Sequence, residues 1–258
     1  HQEAVIRSAL EKKNSMVLMP TGGGKSLCYQ IPALCMYGVT IVISPLIALM
    51  QDQVMALKQN GIKAEFINST LKPDEACHIE TLMIDGALDI VYVAPERLLS
   101  ERFLSILKKA KISLFAIDEA HCVSQWGHDF RAEYLELSKL QEFFPDVPRM
   151  ALTATADAPT RRDILTYLRI QNAEIFISSF DRPNIRYNVS PKNNPKKQLL
   201  DFLHEQEAGC CGIVYCLSRK KVESTAEWLQ EQGFQALPYH AGLPKKSRTL
   251  NQERFIKS

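Results

Sequence analysis

The sequence predicts an α/β fold, with a mostly parallel sheet and helices on both faces. Short apolar runs of strand length alternate with segments of helical periodicity almost throughout. Several of those runs end in short polar or proline-containing turns. That is where an open α/β sheet collects its ligand contacts. A glycine-rich turn also joins an early strand to a helix, the arrangement that opens such sheets around an anion.

The elements follow in order. Ala4, Val5, Ala9 and Leu10 mark an opening helix, and Met16-Val17-Leu18-Met19 reads as a strand. The turn Thr21-Gly22-Gly23-Gly24-Lys25-Ser26 then starts a helix patterned by Leu27, Ile31 and Leu34. Val39-Thr40-Ile41-Val42-Ile43 is a buried strand ending in Ser44-Pro45-Leu46. Its helix carries Met50, Val54 and Leu57 on one face and stops at Gly61. Ala64–Ile67 and Ile90–Val93 are further strands, the second ending in Ala94-Pro95-Glu96-Arg97. The strand Ile112–Ile117 delivers Asp118-Glu119-Ala120-His121, and Arg149–Leu152 delivers Thr153-Ala154-Thr155.

Near residues 178–197 prolines and polar residues set in, as in a linker. A second α/β series follows. It comprises a helix near 197–207, a strand at Gly212–Cys216, a helix with Val222, Ala226 and Leu229 on one face, and a short strand at 235–238 before Tyr239-His240-Ala241-Gly242. The expected division is a first domain over 1–178, a linker over 179–192 and a partial second domain over 193–258, since two βα repeats bury little surface. Both ends read as cut.

The chemistry concentrates in two places. Glycines let the loop at 21–26 curl so that its N–H groups meet phosphate oxygens, and the following helix adds a favourable dipole. Lys25 is placed to neutralise β/γ-phosphate charge and the Ser26 hydroxyl to ligate Mg²⁺. Met19 stands where the strict pattern has its first glycine. Asp118 would hold the Mg²⁺ through water, and Glu119 would orient and deprotonate an attacking water. A Gly-rich turn or an acidic pair alone is commonplace; the two in this order describe a nucleoside triphosphate hydrolysis site.

Composition sets the bounds. The 258 residues are 46% hydrophobic and 23% charged with a net charge of +2, so any nucleic-acid surface must be local. The seven cysteines form no C-x-x-C pair and read as reduced, mostly buried thiols of an intracellular chain. His121, Cys122 and His128 lack a fourth ligand at zinc spacing. No signal peptide, membrane span or repeat is visible, so no membrane partner is expected. Short basic clusters such as Arg161-Arg162 read as solvated helix faces. Trp126 and Phe130 lie in a segment that is polar for two aromatics. They are either core anchors or a platform on which unstacked bases stack.

With these motifs assembled, the chain resembles the RecQ family of superfamily 2 DNA helicases over essentially its full length. The signatures are Met19 to Ser26, Ser44-Pro45-Leu46 with Asp52-Gln53-Val54, Ala94 to Arg97, and Ala151 to Ala156. Phe180-Asp181-Arg182-Pro183-Asn184 and Tyr239 to Gly242 complete them. Most specific is the extension of the acidic box, Cys122-Val123-Ser124-Gln125-Trp126-Gly127-His128-Asp129-Phe130-Arg131.

The resemblance implies RecA-like P-loop lobes, ATP and Mg²⁺, and 3′-to-5′ movement on single-stranded and partially duplex DNA in repair and recombination, in a cytoplasmic or nucleoid-associated protein. It implies catalytic roles for Lys25, Asp118, Glu119 and His121. Nucleotide contacts fall to Gln2 (reading adenine), Pro20, Thr21, Gly22, Gly23, Gly24, Lys25 and Ser26, and metal ligation to Ser26 and Asp118. Thr153 and Thr155 would couple hydrolysis to movement. DNA contacts fall to Ser44, Pro45, Arg97, Trp126, Phe130, Arg131, Ser218 and His240. The family's lobe-two arginine motif does not occur before Ser258, and Ala132 replaces a common proline. The resemblance therefore implies a fragment with weak hydrolysis of its own. Two other functions compete: an ATP-gated nucleic-acid clamp or translocase without strand separation, and a small-molecule kinase.

Overall fold

A computed structural model describes residues 1–68, 71–126, 129–179, 184–207 and 209–257. The chain divides into two units, His1–Ile185 and Arg186–Ser258. The first unit begins α1 (Gln2–Leu10), β1 (Ser15–Leu18), α2 (Leu27–Cys35), β2 (Val39–Ile43) and α3 (Ile47–Gln59). It continues β3 (Ala64–Ile67), α4 (Pro73–Ile84), β4 (Ile90–Val93), α5 (Pro95–Leu98), α6 (Glu101–Leu107) and β5 (Ile112–Ile117). After a 3₁₀ turn at Ala120–Val123 come α7 (Ala132–Leu135), a second 3₁₀ turn at Glu136–Lys139, α8 (Leu140–Phe143), β6 (Arg149–Thr153), α9 (Ala158–Tyr167) and β7 (Glu174–Ile177).

The seven strands form one sheet in the order β3-β4-β2-β5-β6-β1-β7. Every pairing is parallel, so the expectation of a mostly parallel sheet is exceeded. All C-terminal strand tips therefore share one edge. The chain leaves β1 for β2 across a gap that β5 and β6 later fill, a topological switch point. Only β6 separates the loop after β1 from the acidic tip of β5. The register Leu18↔Thr153 puts Thr153 level with the end of β1.

Strand alternation sorts the core into two layers. Ile41, Ile43, Val91, Val93, Phe115 and Ile117 bury on one face, with Phe103, Tyr134, Leu137 and Ile164 from the later helices. Val17, Val42, Tyr92, Leu114, Ala116 and Leu152 bury on the other, beneath Val5, Tyr29, Met50, Val54 and Leu57 from α1, α2 and α3. Each fully buried aliphatic contributes about 1.5–3 kcal/mol, which is what forces both faces to be covered.

The structure differs from the sequence reading at α2, at β7 and at the cysteines. α2 forms where its periodicity placed it, but Leu27, Ile31 and Leu34 are 45%, 38% and 51% exposed. Its buried face is Cys28, Tyr29, Pro32 and Ala33, where small residues let the helix lie close on the sheet and leave the bulky stripe outside. Strand β7 went unread. It is a four-residue edge strand bonded to β1, with Ile175 and Ile177 half exposed, so its alternation carries no buried signal. The cysteines are free thiols, but only Cys28 and Cys122 of the seven are buried.

The second unit contains α10 (Pro195–His204), α11 (Arg219–Glu231) and α12 (Lys245–Lys257). Ala226 and Leu229 on α11 are buried as its periodicity requires. The strands expected at 212–216 and 235–238 are not formed among the described residues. Ile213, Tyr215 and Leu217 of the first segment and its flank are strongly exposed. A strand exists by its ladder to a neighbour, and apolar, β-branched sequence alone does not supply one.

Candidate functional site

The loop between β1 and α2 is a cradle closed against side chains. Gly22 and Gly24 take φ of 77° and 78°, a left-handed conformation that glycine adopts without steric cost. A Cβ on Gly23 would lie 2.9 Å from the Pro20 carbonyl oxygen, and one on Gly24 would collide with the Gln2 amide. Gln2 Nε2 donates to the Gly23 carbonyl at 3.1 Å, so the first turn of α1 lies against this loop. Lys25 Nζ donates to the carbonyls of Met19 at 3.1 Å and Pro20 at 3.4 Å, which holds its charge at the mouth of the loop. Pro20, Thr21 and Ser26 complete the turn, and α2 starts at Leu27.

The β5 tip supplies the opposite charge. Burial, and then the neighbouring Glu119, push the Asp118 carboxyl up from the usual 3.8 to about 6, against the favourable charges of Lys25 and His121. Asp118 Oδ1 accepts from the Glu119 backbone N–H at 3.0 Å, and its carbonyl accepts from the Tyr134 hydroxyl at 2.9 Å. Glu119 itself has φ of 48° and ψ of 43°, a left-handed backbone that turns the chain sharply into the following 3₁₀ turn.

A buried carboxyl pushed up by a second carboxylate beside it suits a cation. Among the described residues no group of three or more His, Cys, Asp or Glu could hold a metal by itself. A metal at Ser26 and Asp118 would therefore need oxygens from phosphate and water, as Mg²⁺ usually takes. The residues present fit Mg²⁺ with a triphosphate.

This raised pKa has a consequence for stability. A carboxyl whose folded pKa lies above its unfolded one destabilises the fold when ionised. That cost is absent below about pH 4 and complete above about pH 6. Asp118→Asn should therefore stabilise the metal-free protein at pH 7 by up to about 3 kcal/mol, and by almost nothing at pH 3. Urea unfolding at both pH values checks this; a gain that is equal at the two, or a loss at pH 7, contradicts it.

His121 joins the acid to the end of β6. Its Nδ1 lies 2.9 Å from Thr153 Oγ1 and 3.3 Å from Glu119 Oε2. The Thr153 hydroxyl donates its proton to the Thr155 carbonyl at 3.0 Å and accepts from the Thr155 N–H at 3.2 Å. Both neighbours of Nδ1 are thus acceptors, and the ring proton belongs on Nδ1. An open depression of about 490 Å³ adjoins this chain, lined by Leu46, Glu119, His121, Asp129, Ala154 and Thr155. A slightly larger one, about 510 Å³, lies at the opposite sheet edge beside Lys13 and Glu174. Its Lys13 is already paired with Glu11 and Glu174, so the smaller depression is the one with chemistry.

The segment leading on from the acid carries the aromatics. Trp126 is 80% exposed and Phe130 39%, so Trp126 is not a core anchor. Gly127 and His128 lie outside the described residues, as do Phe180 to Pro183 of the linker motif. Arg131 Nη1 reaches the Pro45 carbonyl at 3.4 Å and Nη2 the Asp129 carboxylate at 3.3 Å, tying this segment to the turn after β2. In that turn Ser44 is buried and its hydroxyl has no hydrogen-bond partner among the described residues, while Pro45 is half-buried and Leu46 exposed. Arg97 pairs at 2.9 Å with the buried Glu80, which also holds Arg102 at 2.7 Å. In the second unit Ser218 caps α11 by accepting from Lys221 N at 3.3 Å. His240 Nδ1 accepts from Gly242 N, so its Nε2 carries the proton to Glu223 at 3.1 Å.

Reading the sequence missed a polar cluster behind the phosphate loop. The buried Tyr29 and Tyr92 hydroxyls meet at 3.2 Å, and Gln30 bridges Tyr92 to Gln53 of α3. Burial lifts both phenols further from ionisation. Polar residues inside apolar runs were the available signal.

The family profile described as DEAD/DEAH box helicase matches residues 1–164. The chain is 50% identical over 254 residues to the ATP-dependent DNA helicase RecQ of Haemophilus influenzae, covering 98% of this chain and 41% of that protein. It is 44% identical to the RecQ of Bacillus subtilis, across 99% of this chain and 43% of that protein. It is 42% identical to the RecQ-like DNA helicase BLM of Xenopus laevis, across 99% and 19%. The chain thus spans at most about two fifths of these relatives. Among solved structures it is similar in fold to the DUF1998 helicase MrfA bound to DNA, with a TM-score of 0.70 at 20% identity, covering 98% of this chain and 40% of that one. It is likewise similar to Mycobacterium smegmatis Lhr bound to single-stranded DNA and AMP-PNP, with a TM-score of 0.64 at 19% identity, covering 98% and 37%.

Proposed function

The chain belongs to the DEAD/DEAH box helicase family, and from that premise we propose that it is the ATP-binding part of a RecQ-type DNA helicase. Such a protein moves 3′ to 5′ along single-stranded DNA and separates duplex ahead of it, in repair and recombination. Residues 1–178 form the ATP-binding lobe, 179–192 the linker and 193–258 part of a second lobe. No helix among the described residues is long and apolar enough to cross a membrane.

Gln2, resting on the phosphate loop, reads the adenine edge. The N–H groups of residues 21–26 take phosphate oxygens, and Lys25 exchanges the Met19 and Pro20 carbonyls for them. Mg²⁺ held by Ser26 and, through water, Asp118 would neutralise charge on the β- and γ-phosphates. Glu119 accepts the proton of the attacking water, and His121, protonated on Nδ1, holds that carboxylate against Thr153. Thr153 and Thr155 pass any movement of this chain to the end of β6. In the first unit Pro45, Phe130, Arg131 and Arg97 would contact DNA, and within the second unit Ser218 and His240 would do so.

The observation that carries the reading is Trp126, largely exposed on a segment that begins at the catalytic acid's own turn. An exposed indole beside an NTP site is suited to stack on an unpaired base, at about 1–3 kcal/mol. Trp126→Ala should therefore raise the single-stranded DNA concentration that half-saturates ATPase stimulation by about tenfold or more, and depress stimulated turnover much more than basal turnover. The thermal melt should stay within about 0.5 kcal/mol of wild type. A core tryptophan would instead cost about 3–5 kcal/mol. Parallel loss of melt, basal and stimulated rates would contradict the DNA role.

A further inference from the structure

We infer that Asp163, on α9, is a positioning residue for Trp126, acting through the buried hydroxyl of Ser124. The inference rests on the reading of Trp126 as a base-stacking residue. Ser124 is fully buried. Its Oγ donates to Asp163 Oδ2 at 2.7 Å and accepts from the Trp126 backbone N–H at 3.2 Å. The hydroxyl's one proton is thus committed to Asp163, and a lone pair is committed to Trp126.

A short bond to a carboxylate is charge-assisted, and it polarises the hydroxyl into a better acceptor for the next N–H. Asp163 therefore strengthens a bond it does not itself make. This matters because the indole is 80% exposed. Packing does not orient it, and its placement is left to the backbone at Trp126, where the Ser124 bond acts.

The location of Asp163 gives the contact a direction. α9 follows the Thr153–Thr155 turn, and its N-terminus is fixed by Asp157 accepting from Thr160 N at 2.9 Å. The chain from His121 to Thr155 meets the approach to α9, and the Asp163–Ser124 bond meets the helix further along. α9 and its leading turn are therefore bonded on one side to the catalytic acid's histidine and on the other to the aromatic segment. Asp163 gives base stacking a path to the hydrolytic site that runs through a helix, separate from the chain's own continuity between Glu119 and Trp126.

The test uses the full-length protein carrying this sequence and oligo(dT) as the probe. Measured are basal ATPase, the oligo(dT) concentration giving half-maximal stimulation, and the thermal melt. Asp163→Ala should raise that concentration about fivefold to tenfold with basal ATPase unchanged. Asp163→Asn keeps an oxygen that accepts from Ser124 but loses the charge assistance, so its half-saturation should fall between wild type and Asp163→Ala. Ser124→Ala should match Asp163→Ala, and the double variant should be no worse than either. Wild-type half-saturation in Asp163→Ala beside an impaired Trp126→Ala overturns the positioning role alone. Equal impairment of Asp163→Ala and Asp163→Asn with lowered melts makes Asp163 merely structural, and overturns it too. A Trp126→Ala protein with normal stimulation overturns the reading of the aromatic segment and this role with it.

Discussion

Lys25→Ala is expected to lower kcat for ATP hydrolysis by about 10²–10³-fold or more while leaving the fold intact, the magnitude seen when one preorganised donor is removed from developing charge. Lys25 is the cation of the loop, and its ammonium is held over the Met19 and Pro20 carbonyls, at the mouth of a cradle that admits no side chain. Pro20 is half-buried and its carbonyl keeps its bond from Gly23 N at 3.0 Å, while water entering the space left by the side chain can take up the carbonyl of the buried Met19. The melt should therefore move by no more than about 0.5 kcal/mol. Asp118 should also respond, because Lys25 is one of the charges holding its carboxyl down. ATPase assays beside thermal melting check both halves. Near-normal turnover would remove Lys25 from the site, and a collapsed melt would make its role structural.

Glu119→Gln is expected to separate binding from chemistry. The amide cannot accept a proton from water, and loss of a general base costs about 10²–10⁴-fold in turnover. Glutamine still offers an oxygen to His121 Nδ1, now 3.3 Å from the carboxylate, and tolerates the left-handed backbone at this position as glutamate does. It also removes the like charge beside Asp118, the second cause of its raised pKa, so metal and nucleotide binding should hold or tighten. Binding of a fluorescent ATP analogue, measured beside single-turnover hydrolysis, distinguishes the outcomes. Retained turnover would move the base elsewhere; lost binding would make Glu119 a ligand rather than a base.

Much of the first unit is legible in the sequence. The strands β2, β4 and β5 are nearly continuous apolar runs, because a parallel strand covered on both faces has little use for a polar side, while the edge strand β3 admits Glu65. The glycine turn and the acidic pair were legible because their backbone demands are local: a left-handed φ at Gly22 and Gly24, and a strand end at Ile117. The unread elements lack that locality. β7 is an edge strand whose isoleucines stay half exposed, and the α2 stripe of Leu27, Ile31 and Leu34 faces outward. Hydrophobic periodicity reports that a helix has two faces, and which one is buried depends on what it packs against.

By itself the sequence determined the α/β class, the order of β1 to β6 along the chain, and the residue types at the glycine loop and the acidic tip. Each follows from bonding and sterics within a few neighbouring residues. Tertiary structure alone decided that β6 lies between those two motifs, placing Thr153 beside the His121 ring. It alone set the burial that lifts the Asp118 carboxyl to about 6, the exposure of Trp126, and the bond from Ser124 to Asp163. Ser124 and Asp163 lie 39 positions apart in the chain. No local preference encodes such a contact; it exists because parallel pairing gathers every strand tip at one edge, where solvent is excluded unevenly.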